Sequence, residues 1–329
     1  MIIRERWREL RLLSPSQQVA TILSSKKFRN GNSFDVKNYL TKCLENSKES
    51  IQFVLPSFPF KIPNPLKTWH HNLDAGEMLC LQRLYLISFL TQELMNKKTE
   101  FIIISDGLIY SDLCDVDAFE YKSYSQRAKQ IIDKMGIQDN IKYVDMMNDV
   151  LSDKQDEYDQ TLQQVQHELK DWWKNNKSSS RIQYLINNMS GNINTNDIDC
   201  SVLRSMTQEN VNSVFEVYSE TLQRRASQKA FEFTSKLVIL RVMDAVLQKY
   251  EGCIRATVHP KPGQFGIHLV NSNSRIFPWQ GVILKNNSNE FHTTSTQEAW
   301  KEAKYEVFEK ESGDFLYYSA NNIQDGINL

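Results

Sequence analysis

The order of apolar runs along the 329-residue chain predicts an α/β fold. It comprises a Rossmann-like, largely parallel sheet with flanking helices, a helical insertion, and a C-terminal antiparallel β meander. Three observations predict it. Short β-prone runs at Ile51–Val54, in "EFIIISDG" and in "NIKYVDMM" alternate with longer helix-like stretches, Asp74 to Met95 and Tyr121 to Lys134. Residues 152–210 turn rich in Gln, Asn, Asp and Ser. Finally, "CIRATV", "FGIHLV" and "GVILK" follow one another closely enough for hairpin connections.

Taken in order, residues 1–45 form an N-terminal helical part, its two helical segments ending near the Asn-Gly of "FRNGNSF". Residues 46–150 form the α/β part. Its first strand runs into "LPSFPFKIPN", where Pro56, Pro59 and Pro63 forbid helix and leave the segment few conformations to lose. The apolar stretch "MLCLQRLYLISFLTQELM" is interrupted by Gln82 and Arg83, which fits a buried helix and not a membrane span. Residues 151–210 read as a helical insertion or lid, with two helical parts around "KNNKSSSR" and a loose "SGNINTND"; a plain surface excursion accounts for the composition equally well. Residues 211–329 supply a long helix from about Asn210 to Tyr250, the meander, and an edge strand at "DFLYYS", completing one catalytic unit.

Lys plus Arg (39) nearly balances Asp plus Glu (40), so no whole-molecule field favours nucleic acid or an anionic membrane, and any anion site is local. The charged opening "MIIRERWRELRLL" lacks the apolar core of a signal peptide. Five scattered cysteines without a CxxC spacing fit reduced thiols and no structural zinc. The expectation is a cytoplasmic protein without metal or cofactor, with no nucleic-acid or membrane partner; oligomeric state is not legible.

Chemistry concentrates in a few places. In "IRATVHPKPGQFGIHL" the strand period of two puts Arg255, Thr257 and His259 on one face, and His259 and Lys261 lie among prolines at a rigid connection. With His268 on the return strand they make a compact cationic group suited to phosphate or carboxylate, unless this is the solvated face of an amphipathic sheet. "SDGLIYSDL" places Ser105, Asp106 and Gly107 at the carboxyl end of a buried strand, where open α/β sheets bind ligands. Asp106 accepts from an ammonium or a sugar hydroxyl, and Gly107 permits close backbone approach. Arg225, Lys229 and Lys236 share one helix face, which solvation alone explains. GxSxG, Walker, HExxH and GxGxxG signatures are missing, and adjacent His70 and His71 do not both face one metal on a helix.

In order, "LPSFPFKIPN", "IISDGLIYSDL", "IRATVHPKPGQFGIHLV" and "FPWQGV" resemble the pyoverdine/dityrosine biosynthesis family, whose bacterial members include isonitrile synthases. The similarity runs from about Phe53 to Leu284; it departs at Gln280, where many members carry a histidine after the Pro-Trp pair. The resemblance implies that the amine of tyrosine or tryptophan is joined to the ketone carbon of ribulose 5-phosphate, which becomes the isonitrile carbon. It also implies functional coupling to a Fe(II)/2-oxoglutarate oxygenase acting on the product. Alternatives are the fungal N-formyl-tyrosine type of enzyme and a noncatalytic anion-binding scaffold.

Under that resemblance His259 is the acid/base, Asp106 orients the amine or sugar, and Lys61 is a further catalytic cation. Arg255 and Lys261 hold phosphate or carboxylate. Ser57 and Lys61 stand at the mouth of the site on the proline-stiffened segment, and Ser105, Gly107, Lys229, His268 and Trp279 complete the substrate-binding set.

Overall fold

The computed structural model describes the chain apart from residues 1–7, 57, 59, 63, 65–66, 69–71, 196–210, 260, 271–275, 286–290, 303–304, 307–317 and 321–329. Helix α1 (Pro15–Leu23) opens with a capping box between Ser14 and Gln17, and α2 (Ser33–Glu45) is capped by Asn32. The second helix therefore starts after the Asn-Gly turn and does not end at it.

Five strands form a parallel sheet in the order β3-β2-β1-β4-β5: β1 Ser50–Leu55, β2 Lys98–Ser105, β3 Ile141–Asp145, β4 Ile254–Thr257 and β5 Phe265–Gly266. Phe53 lies opposite Phe101 on one side and Ile254 on the other, and Ile103 opposite Tyr143. The Phe53 and Phe101 rings stack at 5.4 Å, with Phe265 6.1 Å from Phe53. Strands covered on both faces need continuous apolar runs, which is why "FIII" and "FVL" do not alternate.

Helix α3 (Ala75–Met95) links β1 to β2, and a short α4 (Gly107–Tyr110) with α5 (Ala118–Lys134) links β2 to β3. After β3 a π-helical turn, Met146–Val150, leads into α6 (Gln155–Asn175) and α7 (Ser180–Ser190). Both pack on the long α8 (Val211–Val242): Trp173 meets Phe231 at 5.6 Å between ring centres, and Ile182, Ile186 and Met189 join the main core. The insertion is thus part of the body of the molecule. Most of "SGNINTND" follows it, and its last residues lie outside those described. The long helix ends eight residues earlier than the sequence suggests, because Asp244 takes a left-handed conformation (φ 46°) before the short α9 (Ala245–Lys249).

The C-terminal strands depart in detail from the expected meander. "CIRATV" and "FGIHLV" pair in parallel within the large sheet, Ala256 opposite Phe265. Antiparallel pairing begins one strand later, between β6 (Val282–Lys285) and β7 (Phe291–Thr294), followed by α10 (Thr296–Glu302). The smaller sheet is completed by β8 (Tyr305–Glu306) and β9 (Tyr318–Ala320), in the order β7-β6-β9-β8. The strand within "DFLYYS" accordingly lies inside that sheet, between β6 and β8. No helix among the described residues is long and apolar enough to cross a membrane.

The proline-rich exit of β1 is locked onto the start of α3. Lys61 is fully buried, its Nζ 2.6 Å from Asp74 Oδ2 and donating to Glu77 Oε2 at 2.9 Å. Asp74 and Glu77 form the capping box of the helix, Gly76 N donating to Asp74 and Asp74 N to Glu77. Tyr124 Oη donates to the other Glu77 oxygen at 3.3 Å. Burial alone would lower the pKa of Lys61, but the two carboxylates carry it above the ordinary value. One buried cation does not neutralise two carboxylates, so burial, against the opposing pull of Lys61, lifts Glu77 from 4.5 to about 8.

At α4 the chain needs glycine for space. A Cβ on Gly107 would meet the Tyr121 ring at 2.1 Å and Phe60 at 2.8 Å. Gly107→Ala is expected to destabilise the protein by about 1–3 kcal/mol through overpacking, read as a lower urea midpoint; an unchanged midpoint would contradict the packing. The Glu77 proton has a signed consequence. Its folded pKa is raised, so its contribution to stability is complete below about pH 4.5 and declines as pH rises through about 8. Urea unfolding across that window is expected to give a flatter stability profile for Glu77→Gln than for the parent protein, and parallel profiles would show that Glu77 is already ionised.

Candidate active site

The strand order reverses direction between β1 and β4, and the crevice at the carboxyl ends of such strands is where open α/β sheets bind ligands. The proline-rich segment leaves β1 there, with Phe58 N donating to Ile104 O at 3.3 Å. An aromatic row crosses the same end. Tyr143 meets Phe58 at 5.9 Å, Phe58 meets Trp279 at 4.7 Å, Trp279 stacks on Phe277 at 5.5 Å, and Phe277 meets His259 at 5.6 Å. Three of the four sequence motifs therefore touch in one line. Pro278 also rests on the first turn of α3, since a Cβ on Gly76 would lie 3.2 Å from it.

His259 is exposed at the end of β4, and its backbone is held by Thr257. Thr257 Oγ1 donates to His259 O at 2.9 Å and accepts from His259 N at 3.1 Å. Partial burial, and then the charge of Lys261, hold the imidazole below its ordinary pKa. At neutral pH it is the uncharged, proton-accepting form. Lys261 is exposed on the same connection.

On the other side of β1, Ser105 is buried and its Oγ accepts from Gly107 N at 3.4 Å. Asp106 Oδ1 is enclosed and has no hydrogen-bond partner among the described residues, as is Tyr110 Oη one turn on. Burial, with a smaller push from the charge of Asp145, raises the Asp106 carboxyl to about 6. Asp145, at the end of β3, accepts from Tyr121 Oη and from Asn148 N. β2 and β4 are the two neighbours of β1, so Asp106 and His259 follow the strands that flank its exit, two strand spacings or roughly 10 Å apart across the sheet.

The other expected site residues are distributed differently. Lys61 is enclosed by Asp74 and Glu77, and not at a mouth. Arg255, within β4, lies 4.0 Å from Asp244, whereas His259 follows two residues beyond the end of that strand. His268 does not return beside His259 in a hairpin. The β4–β5 pair is parallel, and burial, then the charges of Arg83 and Arg29, lower the pKa of His268. The compact cationic group thus reduces to His259 with Lys261. Lys229 is bound to the Asp115 carboxylate, and Lys236 donates to Asp112 and to Ile109 O, so that face of α8 holds α4 and the loop after it instead of facing solvent. The space beside Gly107 is filled by Tyr121, and Trp279 is a buried packing residue. Ser57 lies outside the described residues.

Several polar groups had not been singled out in the sequence. Asp74 and Glu77 carry the D-x-x-E spacing of a helix start, a signal that was present. Asp145 ends its strand as Asp106 follows its own. Lys67, buried at 8% exposure with its Nζ on Asn192 Oδ1, is pushed down to about 8 by burial, and no local pattern marks it. No group of three His, Cys, Asp or Glu side chains suited to a metal ion occurs among the described residues.

The pyoverdine/dityrosine biosynthesis protein family model matches residues 42–308. The L-tyrosine isonitrile synthase of Pseudomonas aeruginosa is 24% identical over 240 residues, covering 72% of this chain and 70% of that protein. An L-tryptophan isonitrile synthase of Fischerella ambigua is 24% identical over 252 residues, covering 72% and 68%. The crystal structure of the PvcA protein from Pseudomonas aeruginosa superposes with a TM-score of 0.69 over 94% of this chain and all of that one, at 18% identity, a likeness of fold. With the family model matching residues 42–308, a span that includes all four motifs, the chain belongs to the pyoverdine/dityrosine biosynthesis protein family.

Proposed function

We propose that this chain is an isonitrile synthase that converts the α-amino group of L-tyrosine or L-tryptophan, taking the isonitrile carbon from ribulose 5-phosphate. Relatives named as isonitrile synthases for these two amino acids support an enzyme of that kind. The observation that carries the reading is Asp106 Oδ1, enclosed without a partner among the described residues at the carboxyl end of β2. A buried carboxylate oxygen left open in the folded chain calls for a donor, and an ammonium or a sugar hydroxyl is one.

The roles follow from these positions. Joining an amine to a ketone requires the amine to lose a proton, attack the carbonyl carbon, and expel the oxygen as water once a proton reaches it. His259, uncharged and exposed at the crevice, accepts the first proton and returns it to the departing oxygen. Asp106 orients the amine or sugar hydroxyl from the far side of β1. Lys261, exposed beside His259, is the cation that meets the phosphate. Arg255 and Lys229, each facing a carboxylate, receive no role here.

Incubating the protein with tyrosine or tryptophan and ribulose 5-phosphate is expected to yield the isonitrile by mass; absence of product with both amino acids would remove the proposal. In His259→Gln, turnover is expected to fall by about 10²–10⁴-fold with substrate affinity and melting temperature little changed, and a near-normal single-turnover rate would exclude His259 from proton transfer. Asp106 loses its charge as pH falls through about 6, so kcat/KM should decline on that acid side. His259 also takes up a proton on the acid side, so Asp106→Asn is expected to be slow and to keep only the part of the limb that His259 contributes; a limb of unaltered shape would exclude Asp106 from it.

A further inference from the structure

A second hollow, of about 230 Å³, opens between the proline-rich segment and the first turns of α5. It is separate from the Asp106–His259 crevice. Phe60, which forms one of its walls, packs edge-on against Tyr121 at 5.4 Å, and Tyr121 covers Gly107 and bonds to Asp145. This wall of rings stands between the hollow and the carboxyl end of β2.

The lining combines three features. Its floor is formed by Lys61 and Tyr124, both buried and both bonded to Glu77. The Lys61 side chain is wholly enclosed by Asp74 and Glu77, so this floor offers no open cation to a bare ion. Its rim carries charges of opposite sign on one helix, Glu120 and Arg127. Phe119, on the same rim, is a large aromatic left 77% exposed, which the packing of the chain does not account for. Two phenylalanines bracketing the space match an aromatic ring, and one positive with one negative rim group matches a zwitterion. The volume lies below the roughly 300–1,000 Å³ typical of drug-sized ligands, as suits a molecule the size of one amino acid.

We propose that this hollow is a binding site for a free aromatic α-amino acid, distinct from the reaction crevice, with the ring between Phe60 and Phe119, the carboxylate at Arg127 and the ammonium at Glu120. The Phe60–Tyr121–Gly107 contacts make its occupancy felt at the end of β2. The assignment stands on the lining of the hollow and does not depend on the reaction proposed above.

The test is calorimetric titration with L-tyrosine in the Asp106→Asn/His259→Gln double variant, in which turnover is blocked; binding in the hollow is the part of the heat that a further Phe119→Ala or Arg127→Gln removes. Tyramine, which lacks the carboxylate, and 3-(4-hydroxyphenyl)propionate, which lacks the amine, are titrated alongside. The expected result is an L-tyrosine site that is weakened roughly tenfold or more for each analogue and for added Phe119→Ala or Arg127→Gln. Both substituted residues are exposed, so melting temperatures should hold and loss of binding is not loss of fold. No heat in the double variant, or isotherms unaffected by Phe119→Ala and Arg127→Gln, would overturn the site. Failure to form isonitrile in the parent protein would count against the crevice chemistry alone and leave this assignment standing.

Discussion

The arrangement around the crevice depends on one buried ion cluster, Lys61 held between Asp74 and Glu77. Enclosing three ionisable groups is costly, and it is tolerated when each charge is closely paired and the remaining polar atoms are bonded. Here the pairing is done by the capping box of α3, so one set of contacts both starts a helix and anchors the strand exit. The prolines of the segment restrict the unfolded chain and reduce the entropy lost in bringing Lys61 to its partners. With the segment fixed, Phe58 is placed for Trp279, and Pro278 seats on the first turn of α3. The aromatic row then extends to His259, so the candidate proton-transfer group is positioned through packing that begins at the ion cluster.

A chain with nearly equal numbers of acidic and basic residues has no long-range field to spend on ligands, and the structure uses four of its lysines to join its own elements. Lys61 joins a strand exit to a helix, Lys67 ties the same loop to Asn192, and Lys229 and Lys236 hold α8 to the segment around α4. A cation in a motif is therefore not by itself an anion site. At the crevice, His259 and Lys261 keep the exposure that a ligand contact needs, and Asp106 keeps an enclosed oxygen without a partner. These two conditions, access on one side and unmet hydrogen bonding on the other, are stronger indications of chemistry than residue type.

What the sequence determined by itself was the class of fold, the start of α3 and the family. Burial on both faces demands unbroken apolar runs, so β1, β2 and β3 were legible from composition alone, and the α3 start was written locally in Asp74 and Glu77. The four motifs in order carried the family, which the match over residues 42–308 establishes. Tertiary structure decided the rest, because local patterns state periodicity and not partners. Whether Phe265 returns beside Ala256 as a hairpin or runs parallel to it depends on what the intervening loop packs against, and that choice brought His268 under the charges of Arg29 and Arg83. Gly107 reads alone as room for a ligand, and only the ring of Tyr121, fourteen residues on, shows the room is filled. The role of Lys61 likewise turned on Asp74 and Glu77, thirteen and sixteen residues away, which meet it only once α3 is docked; a side chain's charge is a property of the sequence, but its partner is a property of the fold.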